Sequence, residues 1–446
     1  MTELVLARAQ MAMLFAFHIL FAVAGMGMPV LMVAAEWAHL RTGKPVYLDL
    51  AKRWARGTAV LFAVGAVSGT VLSFELGLLW PRFMEFAGGV IGLPFALEGF
   101  AFFAEAIFLG IYIYGWDKVG PKVHLLSGAV VAAGGVMSGV FVVTANAWMN
   151  SPAGFFLDKG LPSDVLPLAA MLNPAWKTEV LHMTLAAFAA SGFAVGGIHA
   201  FMLLRDRDNP FHRRALGLAL AVGGTAAVLQ PVSGDFSARF VARNQPAKLA
   251  AMEAHFTTMR GAPLKIGGIP DAANERTRYA VEIPKGLSLL AFHDPDAEVA
   301  GLSSFPRDER PDPLPVHLAF QFMVASGTAM LAVSVAAAWL GLRNREALFR
   351  RPFAFAVVAC GPLGLLAVEA GWVVTEMGRQ PWVIHKVMRT SDAVTTAGGL
   401  ALPFLFFTIL YAVLGASAAW HLRREVAASP PGGPLDGAGP ANPKEK

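Results

Sequence analysis

The sequence predicts an all-α fold: a polytopic membrane bundle of nine transmembrane helices, with the N-terminus outside and the C-terminus cytoplasmic. Three observations carry this. The 446 residues are 55% hydrophobic and only 15% charged, with a mean hydropathy of +0.53, where a soluble domain carries about 25% charge. Nine apolar runs each reach the roughly 20 residues needed to cross a bilayer. The basic residues gather in short clusters between alternate runs, which is a topology signal rather than a nucleic-acid footprint.

In order, the spans are expected near 11–36, 58–80, 94–115, 125–148, 181–204, 215–234, 316–341, 353–375 and 395–420. The first run exceeds the roughly 7–15 apolar residues of a signal-peptide core and carries His18 in its middle, so it reads as a span. Gly and Ala are frequent in all nine, which suits close packing in lipid. Arg41, Lys44, Lys52, Arg53 and Arg56 flank one connection, Arg205, Arg207, Arg213 and Arg214 another, and Arg343, Arg345, Arg350 and Arg351 a third, all on one side. The other side is poorer, with Arg8, Arg82, Lys159, Lys177, Arg379, Lys386 and Arg389. An excess of Lys and Arg marks the cytoplasmic side.

The domain plan follows: spans one to six over 1–234, an outer loop over 235–315, spans seven to nine over 316–425, and a Pro/Gly-rich tail over 426–446 expected to be disordered. So long a loop is usually functional or disordered, and "AKLAAMEAHF" within it reads as a short amphipathic helix. Cys360 is the only cysteine, which excludes an intrachain disulfide and a cysteine-ligated cluster.

Ionisable residues inside a membrane are functional candidates by default. Here they are His18, Glu75, Glu98, Glu105, His182, Glu369 and Glu376. The predicted topology brings His18, His182, Met323, Glu98 and Glu376 to the outer half of the bilayer, on the side of the long loop. Glu105 lies two turns below Glu98 on one helix face. His39, His124, His212 and His421 fall near the basic ends and are expected at the surface. Imidazole and thioether are axial ligands of haem iron, and buried carboxylates suit proton delivery. Taken singly, each residue has an ordinary reading: a histidine as a helix–helix hydrogen-bond partner, Met323 as core filler, Glu98 and Glu105 as a structural pair. The residues alone therefore reach a membrane redox or proton-handling protein. A proton- or ion-coupled transporter is the rival, weakened by the lack of an internal repeat. A pure electron-transfer cytochrome b would not need the Glu98/Glu105 pair.

The motifs go further. "FHILF", "GLPFALEGFAFFAEAIFLGIYIYGWD", "TANAWMNSP", "VLHM", "KLAAMEA", "LAFQFMVASG" and "EAGWVVTEMGRQPW" follow one another in this chain. In that order they resemble subunit I of the cytochrome bd-type quinol oxidases, over roughly residues 1–425. The resemblance implies that His182 and Met323 are axial ligands of a low-spin haem b that takes electrons from quinol. It implies that His18 and Glu376 are ligands at an oxygen site holding a high-spin haem b and the chlorin haem d, with Glu98 a further ligand or close neighbour. It also implies Glu105 on the proton path, Lys248 and Glu253 at the quinol site, and Trp372 near the haems. Arg379 is expected to face haem propionates or the loop. The implied reaction oxidises quinol at the outer face and reduces O2 to water with cytoplasmic protons, building a gradient without a pump. The implied setting is the bacterial cytoplasmic membrane, with a second membrane subunit and a small single-span accessory subunit as partners. Two features depart from the usual pattern: Gln321 stands where the Met block usually has Arg, and the outer loop is of the short form. "VMRTSDAVT" is similar to the cyanide-insensitive branch.

Overall fold

The computed structural model describes residues 3–428 and 430. Among them, nine helices are long and apolar enough to cross a membrane: Glu3–Thr42, Pro45–Leu79, Pro81–Tyr114, Pro121–Asn150, Trp176–Arg205, Pro210–Asn244, Pro313–Arg343, Arg351–Gly378 and Ala401–Ala427. All nine expected spans are present, but most helices overrun the apolar runs. Proline explains five of the early starts. Pro45, Pro81, Pro121, Pro210 and Pro313 each sit at the first helical turn, where the missing N–H has no intrahelical partner to lose.

Two spans differ in kind from the expectation. The eighth is divided into Arg351–Cys360 and Leu363–Gly378, because Pro362 has no N–H to continue the ladder. The ninth starts at Ala401 rather than near 395. Gly399 ahead of it has φ +83°, a left-handed turn that glycine adopts freely. Most of the expected tail lies outside the described residues; Asn209 donates to the Pro430 carbonyl at 3.0 Å.

Sequential spans pair as antiparallel hairpins: first with second, third with fourth, fifth with sixth, seventh with eighth. The fifth is the most buried and is lined by Ala187, Ala190, Gly192, Gly196 and Gly197. A Cβ on Gly192 would sit 2.4 Å from the Gly223 Cα of the sixth span, so glycine is required at that crossing. Small residues let membrane helices touch backbone to backbone.

The long connection is ordered. It begins with the helix Pro246–Met252, shorter than the expected "AKLAAMEAHF". Three two-stranded antiparallel pairs follow: Met259–Arg260 with Glu298–Val299, Leu264–Ile266 with Val281–Ile283, and Ile269–Asp271 with Arg276–Arg278. The chain is thus mostly helical, with its short strands confined to connections. Ala250, Ala251, Met252 and Phe256 pack against Val316 and Val374, so the loop is fastened to the seventh and eighth spans by its own apolar core.

Candidate functional site in the loop-side half of the bundle

Two histidines are held in the same way. His18 Nδ1 lies 3.0 Å from Ser68 Oγ of the second span, and that hydroxyl donates to the Gly65 carbonyl at 3.1 Å. His182 Nδ1 lies 3.0 Å from Ser233 Oγ of the sixth span, and Ser233 donates to the Gln230 carbonyl at 2.9 Å. A serine has one proton to give. With it on a carbonyl, each serine accepts from the ring, so Nδ1 carries the hydrogen and Nε2 keeps its lone pair. Such an outer partner is the usual way a metal-binding histidine is oriented.

A glycine follows each serine, and after Ser68 it makes room for the ring. A Cβ on Gly69 would meet His18 Cε1 at 2.9 Å, and one on Gly234 would meet His182 Cε1 at 3.6 Å. Met323 is placed similarly: a Cβ on Gly371 would lie 3.2 Å from its sulfur. The Gln230 amide lies 3.3 Å from His182 Nε2 and 3.2 Å from the His182 carbonyl. A metal at Nε2 would leave that amide its carbonyl bond. Two imidazoles with free Nε2 atoms and a thioether seated on glycine fit haem iron.

Glu376 closes the eighth span in a polar network. Asn146 donates to its Oε1 at 2.7 Å and Arg379 to its Oε2 at 2.5 Å. Arg379 is 2% exposed, and its Nε and NH1 have no partner. An anionic group such as a propionate would complete them. One turn from Asn146, Asn150 donates to Glu179 at 3.0 Å and accepts from Lys248 at 3.4 Å. The Lys248 stem crosses Gly378, where a Cβ would meet its Cγ at 2.9 Å. Lys248 thus joins the loop to the end of the eighth span. Trp372 stacks on Phe15 of the first span, 6.3 Å between centroids, in an apolar cluster with Ile19, Val23 and Val368.

Burial sets the electrostatics outside the spans. It pushes the Glu253 carboxyl up to about 8, with Lys265 partly opposing, and Glu253 Oε2 has no partner. Burial lowers the Lys248 ammonium, and Glu179 opposes the shift. His385 is drawn down to about 4, first by burial and then by the cations Lys386, Lys248 and Arg379. The end of the eighth span is therefore an electropositive, partly dehydrated place.

Glu98 accepts from Ser138 at 2.9 Å. Glu105 is buried with an unpartnered Oε1, facing Gly25 and Gly135. Glu75 is buried on Gln10 at 2.7 Å. Gln321 binds loop backbone, accepting from Gly267 N at 3.0 Å and donating to the Lys265 carbonyl at 3.1 Å. One turn earlier, His317 places its two ring nitrogens on the Met252 and Gly267 carbonyls at 2.8 and 3.1 Å.

One expectation is overturned. His124 and His212 are buried, not at the surface. Each sits in the first turn or so of its span and is roofed by aromatic rings: His124 by Trp116 and Tyr112, His212 by Phe211. Sequence reasoning did not single out Ser68, Ser233, Asn146, Asn150, Glu179 or His317. The repeated "VSG" at 67–69 and 232–234 and the two asparagines one turn apart in "TANAWMN" are the signals that pointed to most of them.

A nine-span bundle with oriented imidazoles, a thioether and a buried carboxylate–arginine network has the make-up of an integral-membrane redox subunit. Comparison with known proteins makes this specific. Residues 6–430 match the model of the cytochrome bd terminal oxidase subunit I family, and the chain belongs to that family. It is 40% identical over 430 residues to the putative cytochrome bd menaquinol oxidase subunit I of Bacillus subtilis (strain 168), covering 95% of this chain and 96% of the relative. It is 32% identical over 442 residues to the cytochrome bd ubiquinol oxidase subunit 1 of the same strain, covering 96% and 94%. The solved bd oxidase from Geobacillus thermodenitrificans superposes with a TM-score of 0.90 at 40% identity, covering 96% of this chain and 99% of that one.

Proposed function

We propose that this chain oxidises quinol beneath its long loop and reduces O2 to water in the loop-side half of the bundle. Two quinols give four protons and four electrons, and one O2 takes four of each to become two waters. The observation that carries the reading is Lys248. It is a loop residue, yet its stem lies on Gly378 and its ammonium reaches Asn150, beside the Asn146–Glu376–Arg379 network. That contact couples a quinol-facing loop to the oxygen site.

In this reading, Glu253 accepts a quinol proton, since its carboxyl is held up to about 8 and so suits proton transfer near neutral pH. Lys248 holds the quinol oxygen. His182 and Met323 would hold the low-spin haem b. His18 and Glu376 would hold the high-spin haem b and haem d, with Glu98 beside them and Trp372 packed near by. Arg379 would bind a haem propionate through the two nitrogens Glu376 leaves free. When bound, the haems supply electron transfer and the oxygen chemistry. Glu105 passes protons from the basic side.

The excess of Lys and Arg on the other face supports an outward loop and N-terminus and a cytoplasmic C-terminus. Quinol protons then leave outside while water's protons come from inside, and a gradient forms without a pump. The domain plan of spans 1–234 and 316–425 around a quinol-binding loop 235–315 belongs to the same reading. So do subunit II and a small single-span subunit as partners, the bacterial cytoplasmic membrane as location, and menaquinol or ubiquinol as donor, the quinols named for the Bacillus relatives.

The test is spectroscopic. Glu376→Ala is expected to lose a high-spin haem and keep the low-spin signal, and Met323→Leu to lose the low-spin signal alone. A reduced-minus-oxidised spectrum unchanged in either variant overturns that ligand assignment; purified protein with no haem at all would favour the transporter.

A further inference from the structure

Glu105 is buried in the second half of the third span, nine residues before its end at Tyr114, and needs a supply of protons from the basic face. Seven residues on, two turns and about 10 Å further along the same helix face, lies Tyr112. Its ring is fully buried and its hydroxyl has no hydrogen-bond partner, although it lies near the Glu36 carboxylate. Glu36 of the first span is 3% exposed. Its Oε1 is 2.8 Å from His124 Nδ1, and its Oε2 is unpartnered. His124 Nε2 is 2.9 Å from the Tyr112 carbonyl.

The proton inventory of this cluster is definite. Nε2 of His124 faces only a carbonyl, so it donates. The 2.8 Å line between Nδ1 and Glu36 holds one proton, which can rest on either end. Losing that proton outright would leave two lone pairs facing each other, so the pair passes a proton on only as it gains one from the other side. Three buried oxygens along the path, Glu36 Oε2, Tyr112 OH and Glu105 Oε1, lack protein partners, and buried polar atoms of that kind are the ones that water completes.

Gly128 lets Tyr112 lie against the fourth span, where a Cβ would come within 2.6 Å of the ring. At Glu105, Gly25 and Gly135 leave its Oε1 at no less than 3.4 Å from the nearest added Cβ. Between the two levels the filling includes Met28, Met32 and Leu109. Methionine is unbranched and adaptable, so its displacement would admit water between the two levels. At the far end Trp116 lies over His124, 3.9 Å between centroids, and a surface cleft lined by Lys52, Arg56, Trp116, Asp117 and Lys118 opens there.

We infer that Glu36, His124 and Tyr112 form the entrance through which protons from the basic face reach Glu105. This rests on the reading of Glu105 as a proton carrier. Each step moves one proton: from water in the cleft to the Glu36–His124 pair, then by water past the Tyr112 hydroxyl to the Glu105 carboxylate.

The test uses the assembled oxidase in vesicles with the basic face outward and a pH dye outside. After an oxygen pulse, Glu36→Gln keeps the hydrogen bond to His124 but not the exchangeable carboxyl proton. It and Tyr112→Phe are expected to slow proton uptake at least about tenfold with haem content unchanged. A second readout needs no turnover. In a Cys360→Ser background, Tyr112→Cys is expected to react with a small charged thiol reagent added from the basic face. Uptake slowed by Glu105→Gln but by neither entrance variant overturns the entrance. Absence of labelling at 112 overturns it too. Unchanged uptake in Glu105→Gln overturns instead the proton role given to Glu105 above.

Discussion

His18 donates from Nδ1 to Ser68 across 3.0 Å, and Ser68 has already given its own proton to Gly65. The same arrangement recurs at His182, Ser233 and Gln230. Two different pairs of spans thus carry one device, a serine that sets the tautomer of the ring it faces.

Ser233→Ala is therefore expected to loosen His182 without removing it. An outer-partner loss of this kind usually costs about 10–100-fold in metal affinity. The measurement is low-spin haem retained per protein, with Ser233→Thr restoring it. Retention equal to the parent's in the Ala variant would show that the serine does not orient the ring.

Gly371→Ala places a methyl 3.2 Å from the Met323 sulfur, closer than ordinary contact. The sulfur must move, so the low-spin reduced spectrum and its potential are expected to shift while high-spin content stays. A parental spectrum and potential would mean that Met323 does not face an iron there.

Glu253 holds its proton up to about 8 because it is buried. As the proposed base it must be ionised, so quinol oxidation is expected to rise with pH up to about 8 and then level off. Glu253→Gln is expected to remove that dependence and most of the rate; a profile unchanged in the variant would exclude Glu253 as the acceptor. The stability consequence has the opposite sense. The unfolded carboxyl releases its proton near 4.5 and the folded one near 8, so folding takes up a proton between these values. Loop stability is full below about 4.5 and falls as pH rises through 8.

Gln321 and His317 together fasten the strand pair around Lys265 and Gly267 to the seventh span. Gln321→Leu removes two neutral hydrogen bonds, about 1 kcal/mol each. Faster hydrogen exchange and proteolysis over 259–283, with a raised KM for quinol, are the expected outcomes. Unchanged exchange would mean that the apolar contact of Met252 and Phe256 with Val316 and Val374 holds the loop alone.

Much of the architecture was legible because lipid leaves few choices. A run of about 20 apolar residues in hydrocarbon must satisfy its backbone internally, hence as helix, and the nine runs became nine helices. Their ends were less legible. Hydropathy sees where the apolar segment stops, while Pro45 and Pro313 show where the helix begins. His18, His182, Met323 and Glu376 were visible as unusual residues in apolar runs or as parts of family motifs. The burial of His124 was not, because a histidine next to Lys122 reads as solvated until Trp116 is seen lying over it.

The sequence by itself determined the membrane class, the number and order of spans, the family, and the residues whose chemistry suits haem, quinol and protons. Those are properties of composition, local period and motif order. Only the tertiary structure decided which serine fixes which imidazole, that Lys248 crosses Gly378 to reach the Glu376 network, and that Glu36 meets His124. Each of these joins residues dozens to hundreds of positions apart on different helices. Helix crossing, set by where glycine allows backbones to approach, decides them, and no local pattern records it.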